Sequence, residues 1–192
     1  MLTEVSVIRV PNGLPRWDLV TKYLRLRKEV FIDRLDWPLY EIEGMEFEQY
    51  DTVNAVYVIA HAGKDVMGGA RLVRTTQNVG SGRITYSYMI RDACRNILPS
   101  LPSDLCFDEP PSDPLIWELT RLATQAGPEI TSMILQKTNL FLKSEGAKSC
   151  LFLASPTFMR LAEKLGFLPI ALGPVKENKD GKFLVFRCDI ID

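Results

Sequence analysis

The sequence predicts an α/β fold, a single domain over residues 1–192 built on a mixed β-sheet. Three observations predict it. Period-2 stretches and helical-period stretches alternate along the chain and close on strand-helix, strand-helix and a hairpin, an order that packs helices onto a sheet. A chain of 192 residues with 46% hydrophobic content can bury one sizeable core. No internal repeat or low-complexity tract divides it. The proline-rich link carrying Pro99, Pro102, Pro110, Pro111 and Pro114 is too short for a domain boundary.

The elements follow in order. Val5 to Val10 alternates as a short edge strand and stops at Pro11-Asn12-Gly13. From Pro15 to about Arg34, Trp17, Val20, Tyr23, Leu24 and Phe31 recur at helical spacing. Asn54 to Ala60 and Asp65 to Arg74 read as two strands joined by a turn near His61-Ala62-Gly63-Lys64. Gly68-Gly69 inside the second strand predicts a bulge or a close backbone approach. Gln77 to Tyr88 reads as an irregular loop, and Ser87 to Leu98 as a short helix. Leu115 to Thr124 is an apolar strand with Glu118 and Arg121 embedded; three residues apart, they point to opposite faces unless a bulge intervenes. Glu129 to Glu145 is an amphipathic helix with Ile130, Met133, Ile134, Leu140 and Phe141 inward and Gly146 just past its end. Ser149 to Ala154 is a buried-type strand. Ser155-Pro156 supplies the N-cap and first-turn proline of a helix that Gly166 stops. Two last strands flank the turn Lys179-Asp180-Gly181.

Composition narrows the function. A net charge of −1 and a pI near 5.9 argue against a generic nucleic-acid binder. No apolar run approaches the roughly 20 residues of a membrane span, and no signal-peptide pattern opens the sequence. Cys94, Cys106, Cys150 and Cys188 are scattered without a C-x-x-C pair, as reduced thiols in a cytoplasmic protein would be. The one histidine, His61, falls in the expected turn, so a Ser-His or Cys-His catalytic pair is disfavoured. An enzyme here would lean on carboxylates, arginines and backbone amides.

The stretch from Leu24 to Asp51 carries most of the chemistry. Arg27 and Phe31 lie one turn apart on one helical face, on or beside the apolar stripe, where Arg27 must find a partner or remain partly wet. Trp37-Pro38 breaks the helix, and an acidic segment follows with Glu43, Glu46, Glu48 and Asp51 among the aromatics Phe47 and Tyr50. Carboxylates beside a Trp and a Phe suit a ligand that is both cationic and aromatic; a solvated surface loop is the plainer alternative.

Arg27-x-x-x-Phe31, Trp37, and Gly44-Met45-Glu46-x-Glu48-x-Tyr50-Asp51 resemble the N-terminal signature of the acyl-homoserine-lactone synthases, the autoinducer synthases of bacterial quorum sensing. Gly69-Ala70-Arg71-Leu72 with Thr75-Thr76 resembles the family's arginine-bearing strand, and Glu118-Leu119-Thr120-Arg121 its Glu-x-x-Arg strand. Gly166-Phe167 and Leu172-Gly173-Pro174 resemble its C-terminal landmarks. The resemblance spans most of the chain in order. It implies an α-β-α sandwich related to the N-acetyltransferases.

It also implies two substrates, S-adenosylmethionine and an acyl thioester on acyl carrier protein or coenzyme A, with no further cofactor. The amine of S-adenosylmethionine attacks the thioester, and its carboxylate then closes on its own γ-carbon, expelling methylthioadenosine and leaving the lactone. A carboxylate is the obvious base for that amine. Glu118, in an apolar strand, is the first choice; a structural ion pair with Arg71 or Arg121 is the alternative. Glu48 and Asp51 would face the cationic sulfonium and amine, and Phe31 and Trp37 would cover the ligand. Arg27 and Arg71 would orient those acids or hold the ligand carboxylate, Glu48 and Arg71 counting with Glu118 as catalytic and Arg121 among the residues that bind S-adenosylmethionine. Phe152, Ala154 and Phe158 would line the acyl pocket. Lys148, Arg160 and Lys164, with Lys137 and Lys143 on the neighbouring helix, would meet an acidic carrier protein.

Two departures bear on substrate detail. The family usually has Asp where this chain has Glu48, and a Phe where Met89-Ile90-Arg91-Asp92 is followed by Ala93-Cys94. The loop from Gln77 to Tyr88 is also not the usual short one. Two rival functions stand beside this one. A general acyl-CoA N-acyltransferase would be expected to carry a glycine-rich pyrophosphate loop opening a helix, and Gly68-Gly69 and Gly80/Gly82 do not precede a clear helix. A non-catalytic ligand-binding module would use Glu118 and Arg121 for structure alone.

Overall fold

The computed structural model describes residues 2–125 and 127–192. Its strands are β1 (Glu4–Ile8), β2 (Glu41–Ile42), β3 (Met45–Glu46), β4 (Val56–Ala62), β5 (Asp65–Arg74), β6 (Ile116–Thr124), β7 (Ser149–Ala154), β8 (Pro169–Ala171), β9 (Lys176–Asn178) and β10 (Gly181–Asp189). Its helices are α1 (Trp17–Arg27), α2 (Met89–Cys94), α3 (Pro128–Ser144) and α4 (Pro156–Lys164). Strands follow the order β1-β4-β5-β6-β7-β10-β8, with β9 on β10 and β2-β3 paired separately. The pairing is mixed: β6–β7 is parallel, while β1–β4, β4–β5, β7–β10 and β8–β10 are antiparallel. The predicted α/β mixed-sheet class is therefore observed, and β1 is an edge strand as expected.

The packing divides the chain into two compact units, one of Met1–Leu72 with Arg121–Phe141 and one of Val73–Thr120 with Leu142–Asp192. In the first, α1 buries Leu19, Val20, Tyr23, Leu24, Leu26 and Arg27, a stripe at helical spacing. The helix does not run on as α to Arg34. Lys28–Arg34 widens to a π-helix, whose longer hydrogen bonds include Leu35 N–H to Val30 C=O at 3.1 Å. The close approach predicted at Gly68-Gly69 is present. A Cβ on Gly69 would lie 2.7 Å from the Tyr23 ring, so only glycine lets α1 settle there.

Two expectations fail in this unit. His61 is not in the turn: β4 carries it to Ala62, it is buried, and its Nε2 lies 2.8 Å from Ser6 Oγ on the paired strand β1. Leu140 of α3 is 60% exposed rather than inward, because it sits about 120° around the helix from Ile134 at 100° per residue. The acidic loop also holds a hairpin, β2-β3, that alternation did not predict. Its turn residues Glu43 and Gly44 take φ of 50° and 76°.

In the second unit β7 spans the predicted residues, and the Ser155 hydroxyl accepts the Phe158 N–H at 3.2 Å to cap α4. The Lys179-Asp180 turn joins β9 to β10 as predicted; the short strand β8 is an addition. Among the described residues no helix is long and apolar enough to cross a membrane.

Candidate active site

The first unit gathers three arginines and three carboxylates. Arg27, the last residue of α1, donates from Nε to Glu46 at 2.5 Å and grips Asp51 with both terminal nitrogens, at 2.7 and 2.9 Å. Asp51 also accepts the Tyr57 hydroxyl at 3.0 Å and the Glu48 N–H at 3.0 Å, and lies 3.1 Å from Arg71. Arg71 reaches one oxygen of Glu48 at 2.5 Å, and Arg121 reaches the other at 2.6 Å and Glu46 at 3.3 Å. Each carboxylate thus bridges two arginines, and the formal charges cancel. Buried ions survive only when paired and hydrogen-bonded in this way.

The electrostatics follow from the pairing. Burial pushes the Asp51 carboxyl up, but the Arg71 and Arg27 guanidiniums outweigh it and hold the group well below the usual carboxylate range. Glu48 is likewise lowered against its burial by Arg71 and Arg121. Burial and then Asp51 push the Tyr57 hydroxyl up, so it stays a donor. A carboxylate held ionised this firmly is a poor proton acceptor, so Glu48 suits holding a cation better than acting as a base.

Exposure separates the frame from the surface a ligand would meet. The side chains of Arg27, Arg71, Glu46 and Asp51 are 0% exposed, whereas Glu48 is 13% and Arg121 8% exposed. Asp51 and Arg27, expected at the ligand, are buried among their charged partners, and the exposed atoms of the frame belong to Glu48 and Arg121. Beside them the rings of Phe31 and Trp37 stack at 5.2 Å and 10°, with the Arg121 guanidinium 5.6 Å from Phe31. Just past the π-helix the chain folds back, with Trp37 N–H bonded to Phe31 C=O at 2.9 Å, and this brings the two rings together. Trp37 Nε1 is buried with no hydrogen-bond partner among the described residues. Glu46 stands in the signature Gly44-Met45-Glu46-x-Glu48 and in the acidic segment, but sequence alone gives it no role of its own. Its i, i+2 spacing to Glu48 in an extended segment was the available signal.

In the second unit Glu118 is fully buried on β6, and its two carboxylate oxygens accept the N–H groups of Met89 (3.0 Å) and Ile90 (2.8 Å) at the start of α2. It satisfies donors that the helix leaves open. Phe152 of β7 stacks on Phe186 of β10 at 5.1 Å and 11°, and Phe158 of α4 leans on both at 6.0 and 6.4 Å. Ala154 lies across from Leu184. Arg160 and Lys164 are exposed on α4. Lys148 is exposed too, and with Lys143, Arg187 and Asp189 lines a cavity of about 540 Å³. Lys143 is paired with Asp192 at 2.9 Å, and Lys137, in the first unit, is half-buried. No cluster of three or more His, Cys, Asp or Glu suited to a metal occurs among the described residues.

The mixed-sheet fold carries a buried arginine–carboxylate frame, and comparison with known proteins gives the class of protein it belongs to. Residues 16–98 match the autoinducer synthase family model. The acyl-homoserine-lactone synthase of Aeromonas salmonicida is 30% identical over 166 residues, covering 81% of this chain and 72% of that protein. The chain belongs to the acyl-homoserine-lactone synthase family. Among solved structures, TofI in a ternary complex with an inhibitor and MTA has a TM-score of 0.74 at 25% identity, over 99% of this chain and 92% of that one. The CoA-dependent synthase BjaI with SAM and isopentyl-CoA has a TM-score of 0.79 at 21% identity, over 99% and 84%. A putative N-acetyltransferase from Lactobacillus plantarum shares the fold at 0.61 and 12% identity, over 100% of both chains.

Proposed function

We propose that this chain, as a single autoinducer-synthase domain in the cytoplasm, converts S-adenosylmethionine and an acyl thioester into an acyl-homoserine lactone. The observation that carries the reading is the exposed edge of the charged frame, where Glu48 and Arg121 stand beside the Phe31–Trp37 stack. S-adenosylmethionine offers each of them a match. Its sulfonium and amine suit Glu48, its carboxylate suits Arg121, and its adenine suits the rings, with Trp37 Nε1 a free donor. Arg27, Arg71, Glu46 and Asp51 hold that edge rigid.

Glu118 takes the proton as the amine forms its bond to the thioester carbon, the carbon–sulfur bond of the thioester breaks, and the departing carrier thiolate receives that proton back. The carboxylate then attacks its own γ-carbon, and the breaking carbon–sulfur bond releases neutral methylthioadenosine. S-adenosylmethionine is consumed, so it is a substrate rather than a cofactor. BjaI was solved with SAM and isopentyl-CoA, and TofI with MTA, which supports both halves of this reaction. Incubating the protein with S-adenosylmethionine and a panel of acyl carrier proteins and acyl-CoAs, with products identified by mass, tests the reading. Lactone plus methylthioadenosine is expected. An N-acylated product without lactone would instead make the chain a general N-acyltransferase.

Two further outcomes are expected. Phe152→Ala opens space within the Phe152–Phe158–Phe186 cluster, and about 0.8 kcal/mol per buried methylene then shifts the product profile several-fold toward longer chains. The same truncation costs about 3–5 kcal/mol of stability, so melting and product profile are read together. An unchanged profile in a folded variant leaves Phe152 as core packing only. For the carrier, reversing Arg160 and Lys164 to Glu is expected to raise the KM for acyl carrier protein and flatten its salt dependence, with S-adenosylmethionine binding unchanged. Unaltered carrier kinetics would place docking elsewhere.

A further inference from the structure

Arg121 has a backbone that its sequence does not predict. Its φ is 55°, the left-handed region, where a long side chain is disfavoured and glycine or asparagine is the usual occupant. Strand β6 continues to Thr124 but departs from regular extended geometry at this residue, and that departure from alternation accompanies the reach of its guanidinium to Glu46 and Glu48. A conformation of this kind persists only where its surroundings hold it.

The holding group is Tyr23. Its hydroxyl donates to the Arg121 carbonyl oxygen in a short hydrogen bond. The phenol is fully buried and fixed from two sides, lying against Gly69, where a Cβ would come within 2.7 Å of it, and under the Arg27 guanidinium at 5.6 Å from its centroid. Gly69 therefore leaves room for the ring, and the ring sets the strand. Burial, eased in part by Arg27 and Arg71, also pushes the hydroxyl well above its ordinary range, so it remains a donor throughout the working pH.

We propose that Tyr23 is a positioning residue for S-adenosylmethionine: its hydroxyl pins the Arg121 carbonyl and keeps that backbone left-handed, which presents Arg121 and, through it, Glu48 to the ligand. The inference deepens the functional reading above and rests on it. Tyr23 touches no substrate; it acts through Arg121.

The test is a double-mutant cycle of Tyr23→Phe and Arg121→Ala, with KM for S-adenosylmethionine, kcat and melting temperature measured for each. Tyr23→Phe is expected to raise that KM about five- to tenfold, the loss of one hydrogen bond, with a smaller change in kcat. In the Arg121→Ala background the same substitution changes KM no further, while its effect on melting persists. A merely structural tyrosine would give multiplicative effects on KM in the two backgrounds, or none, and either result overturns the proposal. Should Tyr23→Phe not fold, Arg121→Gly and Arg121→Ala decide. If the backbone is held left-handed, the glycine variant melts about 2–4 °C above the alanine variant, and equal melting overturns the proposal. The wild-type assay keeps the two failures apart. Absence of lactone from the wild type counts against the functional reading, whereas lactone formation with an unaltered Tyr23→Phe KM counts against the positioning role alone.

Discussion

Glu118→Gln is expected to lower turnover by about 10²–10⁴-fold while leaving S-adenosylmethionine binding within about twofold of wild type. The amide keeps nearly the same volume and one acceptor oxygen but cannot take a proton. The structure sharpens the test, because Glu118 also anchors the start of α2 through Met89 N–H and Ile90 N–H. Gln satisfies one of these two donors and turns an N–H of its own toward the other, so a loss of about 1–3 kcal/mol in stability accompanies the substitution. Melting measures the anchoring role, and turnover at saturating substrates measures the chemical one. A folded Gln variant with near-wild-type turnover would show that Glu118 is an anchor only and that the base lies elsewhere.

The parts of the fold that local chemistry specifies were legible. Ser155-Pro156 fixes the start of α4, and the Lys179-Asp180-Gly181 turn fixes the last hairpin, because capping and turn geometry need only neighbouring residues. For α3 the helix was legible, but its inward face was not fully so. Its buried stripe runs through Thr131, Ile134, Leu135, Thr138 and Leu142, with the polar Thr131 and Thr138 taking places that a search for apolar residues gives to Leu140. His61 was misplaced because Gly63 supplies the turn, at φ 61°, two residues beyond it.

The members of the site were legible as residue types, and their division of labour was not. An acidic partner for Arg27 is one of two readings of its place on or beside an apolar stripe, the other leaving it partly wet, and the structure buries it among acids. That Asp51 and Glu46 would both supply one, leaving Glu48 at the surface, depends on pairings 19 to 24 residues apart. Arg121 depends on a left-handed residue inside a strand, which alternation excludes. Sequence patterns carry period and local turn chemistry; they do not carry which of several like charges is buried.

Asp51→Asn is expected to cost about 3–5 kcal/mol of stability at neutral pH, because it leaves Arg27 and Arg71 buried with their shared counter-charge removed. The pH dependence gives the effect a signature. Burial raises the Asp51 carboxyl, the two arginines more than reverse this, and its folded pKa lies below its unfolded value near about 3.9. A group depressed on folding contributes stability that is complete above the unfolded value and lost as pH falls toward the folded one. The wild type should therefore lose stability steeply below about pH 4, with Glu48 adding to the slope in the same direction. Asp51→Asn should start lower and fall less steeply over that range. Its S-adenosylmethionine affinity should drop as well, by about tenfold or more, since Arg71 no longer holds Glu48 against a fixed partner. Chemical denaturation across pH 2–7 and ligand titration at pH 7 measure the two effects. Wild-type stability in the Asn variant would remove Asp51 as the centre of the frame. Reduced stability with unchanged affinity would mean that the frame supports the fold and the ligand binds away from it.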